Sequence, residues 1–243
     1  MMLRQNEQRL REAIEWARQT RTLLTSRGGD WQVDLNGAYR VQATRLSAVS
    51  LKGYKLGLLS PAKQQQMGID HPIYGRITTE MLQESPLSLG QFLQPRMEPE
   101  LVVWLRAPIP PSSTPDQAEQ AIGGIFLGLD VLDSVWKDYR FSVVEVVADN
   151  ASGGGFLMGT QLLSAWPRAG TLRLFLDGVC VGEGEVAVLG DPGERLQWLA
   201  RQVGGLQAGQ FIFMGSPTSA QPARPGVLRV ELDNYLLLCQ LTP

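Results

Sequence analysis

The chain has 243 residues, 44% hydrophobic and 19% charged, with a formal net charge of −2. That length fits one large domain or two small ones with a substantial core, and the charge gives no general attraction to nucleic acid or to an anionic membrane. No apolar run approaches the roughly 20 residues that span a bilayer, and the charged start MMLRQNEQRLREAIEW has no apolar signal core, so a cytoplasmic protein is expected.

In chain order, an amphipathic helix is expected from about Glu7 to Ser26, with Leu10, Ile14, Ala17, Leu23 and Leu24 near helical spacing. Gly28-Gly29-Asp30 breaks it. A second helix starts near Asp34 as N-cap and carries Tyr39, Val41 and Leu46. From Gly53 the texture changes to short apolar runs cut by Gly and Pro, which favours strands. Thr114-Pro115-Asp116-Gln117 joins a capping box to a proline at the first helical position. Ala121, Ile122, Ile125, Phe126 and Leu129 continue that helix at helical spacing. The runs 171–189 and 227–241 alternate as antiparallel strands, and between them Asp191 and Pro192 open a further helix. Cys180 and Cys239 lie in apolar runs and read as buried thiols. The expected class is α+β, with a helical N-terminal portion over residues 1–50 packed on a β-rich catalytic core over 51–243.

Glu98-Pro99-Glu100 precedes the apolar run LVVW. In a strand the two glutamates share a face, and Pro99 belongs at a strand start or edge because it has no N–H to donate. Two carboxylates on one face repel unless a cation or proton intervenes; a solvated edge pair is the alternative. Asp130 sits in the apolar context GLDVL, at the exit of the capped helix. Glu98, Glu100 and Asp130 together would make an all-oxygen site for a hard divalent cation such as Mg²⁺ or Mn²⁺. His71 beside Asp70 suits acid–base chemistry, or is an exposed loop histidine. The glycine-rich ADNASGGGFLMG has no following Gly-Lys-Ser/Thr, which argues for a turn offering backbone amides rather than a phosphate loop.

The segments GYKLGLLSPAKQQQMGIDHPIYG, LQPRMEPELVV, LDVLDSVWKDYRF, VVADNASGGGFLMG, AVLGDPGERLQWLA and GSPTSAQPARPG follow one another in this order. Together they resemble the 2-oxopent-4-enoate hydratase and 4-oxalocrotonate decarboxylase branch of the fumarylacetoacetate hydrolase superfamily, from about residue 35 to 226. The resemblance implies a mixed β-roll and a Mg²⁺ or Mn²⁺ held by Glu98, Glu100 and Asp130. It implies Lys55 as the active-site lysine, with Leu59, Ile73, Asn150, Ser152 and Thr218 against the substrate and a minor part for Asp70 and His71. The implied substrates are 2-oxo or 2-hydroxy dienoates from the meta-cleavage of aromatic compounds. A homo-oligomer is implied as well, with a hydratase as partner of a decarboxylase.

Hydratases of the branch tend to carry an acidic residue where this chain has Ile73. Isoleucine cannot move a proton, so the decarboxylase is preferred and the hydratase is the alternative. Other positions depart from the pattern: Asp130 stands for glutamate, Val135 for arginine, Asp191 for histidine and Leu59 for threonine. These leave open a divergent, non-catalytic subunit or binding protein of the same fold.

Overall fold

The computed structural model describes residues 3–243; Met1 and Met2, the start of the N-terminal portion expected over residues 1–50, lie outside them. Numbered along the chain, helix α1 (Gln5–Thr20) buries Leu10, Ile14 and Ala17. It stops short of Ser26 because Arg21 turns left-handed and caps it. Leu24 leaves the helix, and its N–H donates instead to Val135 O at 2.7 Å. Asp34 caps α2 (Leu35–Arg45) as expected, accepting from Gly37 N at 2.6 Å, and a short α3 (Pro61–Gln66) comes next among the helices.

Two sheets carry most of the remaining chain. The larger joins β1 (Leu51–Gly57), β2 (Ile73–Thr78), β4 (Arg96–Leu105), β5 (Ile122–Leu132), β6 (Gly153–Met158), β9 (Phe211–Phe213) and β10 (Gln221–Pro222). Its order is β2-β1-β9-β4-β5-β6, with β10 beside β4. The smaller contains β3 (Leu87–Ser88), β7 (Thr171–Leu176), β8 (Val179–Glu185), β11 (Gly226–Leu232) and β12 (Tyr235–Thr242), in the order β3-β12-β11-β7-β8. Both sheets are mixed: β1 runs parallel to β9 and β3 to β12. One apolar core joins them, with Leu101, Val103 and Leu127 from the larger sheet and Leu174, Leu228 and Val230 from the smaller.

The expected capped helix begins as α4 (Pro115–Gln120), with Thr114 Oγ1 accepting from Gln117 N at 3.3 Å. It does not continue: Ile122–Leu132 is β5. A run that is apolar on all sides fits a buried helix and a central strand equally well. Gly123-Gly124, poor in a helix interior, and ladders with β4 and β6 on either side decide for the strand. Asp130 is therefore mid-strand, not at a helix exit. Asp191 does cap α6 (Pro192–Val203), accepting from Glu194 N at 3.0 Å. The cysteines divide: Cys239 is buried, whereas Cys180 is exposed, because β8 is the outer strand of its sheet.

A second apolar cluster joins the N-terminal helices to the rest of the chain. Leu10, Ile14, Trp31 and Val41 pack with Ile73, Trp136, Val146 and Ala151, the last two on or just after α5 (Val143–Ala148). The two N-terminal helices thus bury their apolar faces against elements that frame the site described next.

Candidate active site

In the β4–β5 ladder Glu98 faces Asp130 and Glu100 faces Gly128. Strand alternation puts both glutamates on one face. Together the three carboxylates offer oxygens that all lie within 4.8 Å of one another. Pro99 is inside β4 rather than at its start, but it faces a local break in the sheet. On that side β10 pairs only with Arg96 and Met97, and β9 only with Val102–Trp104. Ser216 fills the break, its Oγ donating to Pro99 O at 2.8 Å.

Lys55 arrives from β1 with Nζ 2.5 Å from Asp130 Oδ2, and the pair is almost wholly buried. Its partner across the ladder is Gly75 on β2. A Cβ at Gly75 would stand 3.0 Å from Lys55 Cγ and 2.5 Å from Asn150 O. A bare glycine there leaves the lysine its path between the strands.

Burial pushes the Glu100 carboxyl well above the usual range, and Asp130 and Glu98 push the same way against Lys55. Burial also raises Asp130, with Lys55 opposing. Burial pulls the Lys55 ammonium down, but Asp130, Glu100 and Glu98 together hold it above its ordinary value. The cluster is short of positive charge. Glu100 Oε2 accepts from Gly215 N at 2.8 Å, whereas Glu100 Oε1 and Asp130 Oδ1 are buried without a hydrogen-bond partner among the described residues. Orphaned carboxylate oxygens are costly unless a cation or a proton meets them. Three converging carboxylates, two of them with orphaned buried oxygens, fit a hard divalent cation such as Mg²⁺ or Mn²⁺.

A cavity of about 410 Å³ is lined by Lys55 and Glu98, and Leu59, Ile73, Ser152 and Thr218 also line it. Glu100 and Asp130 complete the cluster from full burial, without lining the cavity. Three expected residues stand elsewhere. The Asn150 amide is spent on β2, accepting from Arg76 N at 2.7 Å and donating to Arg76 O at 2.9 Å. Asp70 and His71 belong to the turn before β2, outside the cavity wall. His71 Nδ1 lies 2.8 Å from Pro72 O, and its ring 6.1 Å from Trp198. Because strand alternation starts only at Ile73, these two residues are not aimed by the ladder.

Ser216, Ser219, Tyr139, Phe141 and Val188 also line the cavity and were not foreseen. The hydroxyl cluster Ser216-Pro217-Thr218-Ser219 directly after an apolar strand was the available signal. Tyr139 gave none, since its place depends on a left-handed backbone (φ +59°) and on the Arg96 guanidinium 4.3 Å above its ring. Ala151 and Ser152 belong to a third unforeseen feature. Asn150, Ala151 and Ser152 have φ of +61°, +51° and +57°, one turn of left-handed helix, at roughly 1–2 kcal/mol per non-glycine residue.

Residues 57–234 match the family described as fumarylacetoacetate (FAA) hydrolase C-terminal. The chain belongs to this family. Among its FAA hydrolase relatives is a 4-oxalocrotonate decarboxylase of a Pseudomonas species, 35% identical over 196 residues that make up 75% of each chain. A 2-keto-4-pentenoate hydratase of Paraburkholderia xenovorans LB400 is 31% identical over 216 residues, 80% of this chain and 78% of that one. The solved 4-oxalocrotonate decarboxylase of Pseudomonas putida G7, complexed with magnesium and adipate, superposes with a TM-score of 0.90 at 28% identity. That superposition covers 100% of this chain and 99% of the neighbour, so the N-terminal helices outside the family match have counterparts in a solved relative. The mixed β-roll expected from the sequence is the fold observed.

Proposed function

We propose that the protein is a divalent-metal-dependent lyase that converts 2-oxohex-3-enedioate (4-oxalocrotonate) to 2-hydroxypenta-2,4-dienoate and CO₂. The observation that carries this is a carboxylate trio and a buried ammonium that reach one cavity through Glu98 and Lys55, together with a hydrocarbon wall that includes Ile73. The solved neighbour's adipate, a six-carbon dicarboxylate like the proposed substrate, supports the choice.

Glu98, Glu100 and Asp130 would hold the cation, which when bound supplies Lewis-acid stabilisation for negative charge arriving at the 2-oxo oxygen. Lys55 keeps its proton amid the carboxylates, so Nζ adds fixed positive charge there and can hand a proton to the developing anion. Ser152 and Thr218 present hydroxyl-bearing side chains that can orient substrate oxygens. Leu59, Ile73 and Phe141 exclude water, and a poorly solvated carboxylate beside them gains by leaving as neutral CO₂. As the bond to that carboxylate breaks, its electron pair moves through the conjugated chain to the 2-oxo end, where one proton is taken up. Ile73 can neither take a proton from an adding water nor give one to the substrate, which favours loss of CO₂ over hydration.

Ultraviolet absorbance of 2-oxohex-3-enedioate and of 2-hydroxypenta-2,4-dienoate, followed separately with Mg²⁺ or Mn²⁺, tests the proposal. Metal-dependent loss of the first is expected. Turnover of the second alone would make the protein a hydratase, the activity named for several of its relatives; turnover of neither, with metal bound, would favour a non-catalytic subunit.

We further infer a cytoplasmic homo-oligomer that associates with the hydratase acting on its product. No helix among the described residues is long and apolar enough to cross a membrane. Val227, Leu236 and Leu238 are exposed on one face of the adjacent strands β11 and β12, apolar surface that a second copy would cover. Light scattering at micromolar concentration is expected to give a mass of at least a dimer, and a monomer would sink the idea.

A further inference from the structure

The left-handed turn Asn150–Ser152 forms part of the cavity wall through Ala151 and Ser152. Three successive non-glycine residues hold this conformation only where their surroundings over-determine it. Some restraints are local to the core: the Asn150 amide bonds both ways with Arg76 of β2, and Ser152 O accepts from Asp133 N at 2.8 Å. Asp149, the residue just before the turn, accepts from Val135 N through Oδ2 at 2.8 Å.

The other restraint comes from α1. Arg18 Nε and Nη2 lie 3.2 and 2.8 Å from Asp149 Oδ1. Its Nη1 lies 3.1 Å from Asp133 Oδ2, and Nη2 donates to Asp133 O at 3.1 Å. One guanidinium therefore grips both the residue that enters the turn and the residue that fixes its last carbonyl. Asp133 and Asp149 are buried and repel each other. Arg45 of α2 adds a bond from Nη1 to Ala148 O at 2.8 Å. Without Arg18, Asp133 would lose its only ion pair among the described residues and Asp149 would keep only Arg45, whose Nη1 lies 3.7 Å from its Oδ1; the strained turn between their attachment points is the segment with most to gain by relaxing. Arg18 and Arg45 both precede residue 57, where the family match begins, and neither lines the cavity.

We propose that Arg18 is a positioning residue: through Asp149 and Asp133 it holds the left-handed turn in the shape that walls the cavity, so that α1 governs substrate affinity without touching substrate. The substrate part rests on the cavity being the proposed decarboxylase site; the tether itself does not.

Arg18→Met keeps the aliphatic stem and loses the fork, and Arg18→Lys keeps a single charge. Amide exchange in the ligand-free proteins reads the tether directly. In Arg18→Met the amides of Asp133, Val135 and Ser152 are expected to exchange on the order of 10–100 times faster, with the β11–β12 hairpin unchanged. KM for 2-oxohex-3-enedioate is expected to rise about tenfold or more with a smaller change in kcat, Mn²⁺ affinity to stay at the wild-type value, and Arg18→Lys to recover part of the loss. Wild-type exchange at those amides, an unchanged KM, or a parallel fall in Mn²⁺ affinity would overturn the proposal. If Arg18→Met does not fold, Arg18→Lys carries the same comparison. If the wild-type protein leaves 2-oxohex-3-enedioate untouched, the decarboxylase assignment falls and amide exchange alone decides the tether.

Discussion

Glu100→Gln is expected to weaken Mn²⁺ binding by more than about 100-fold and to lower turnover by about a thousandfold or more. The substitution keeps size and shape and leaves a carbonyl oxygen to accept from Gly215 N, a bond of 2.8 Å in the wild-type protein. It removes one of the anionic ligands whose number sets affinity for a hard cation. Because Glu100 is buried against Asp130 and Glu98, a neutral amide relieves repulsion in the metal-free protein. Its melting temperature should therefore hold or rise while metal affinity collapses. Titration calorimetry with Mn²⁺ beside a thermal melt separates the two effects, and an unchanged Mn²⁺ affinity would falsify the site.

Lys55→Met is the second large effect. Removing one partner of a buried ion pair leaves the other charge uncompensated, at about 3–5 kcal/mol, and Asp130 has no other cation as near as Lys55 Nζ among the described residues. Turnover is expected to fall by about 10²–10⁴, the usual worth of a positioned proton-transfer group. Two further measurements tie the loss to the pair. Added Mg²⁺ should recover part of the lost stability, since a bound cation neutralises the same carboxylates. Asp130→Asn made on top of Lys55→Met should be more stable than Lys55→Met alone, because neighbouring charges do not behave additively. Wild-type turnover by folded Lys55→Met would remove Lys55 from the mechanism.

Much of the site was legible because strand alternation is a rigid rule. Once LVVW is a strand, Glu98 and Glu100 share a face whatever the rest of the chain does, and Asp34, Thr114 and Asp191 mark helix starts through bonds made within a few residues. What was not legible depends on partners distant in sequence. Locally only Gly123-Gly124 speaks against a helix after Gln120; β4 and β6 on either side make the run a strand. The resemblance puts Asn150 against the substrate, yet β2 consumes both ends of its side-chain amide. Arg18 carries no local signal on its amphipathic helix, because its partners lie 115 and 131 positions away. Cys180 misled for the opposite reason: an apolar run on an outermost strand has no neighbour to bury it.

The polar and the charged parts of the cavity are carried by different kinds of backbone. The carboxylates and Lys55 stand on paired rungs of the larger sheet, whereas Ser216, Thr218 and Ser219 ride on the segment that leaves β9 and fills the break beside Pro99. That segment leans on β8 through bare glycine: a Cβ on Gly184 would stand 2.3 Å from Pro217 O. The two kinds of backbone meet at Gly215 and Ser216, which bond to Glu100 and to Pro99 O, and part beyond them. Exchanging residues 217–219 would alter the hydroxyl-bearing wall while the strands that assemble the charges stay in register, a route by which one scaffold can diversify its reactions one loop at a time.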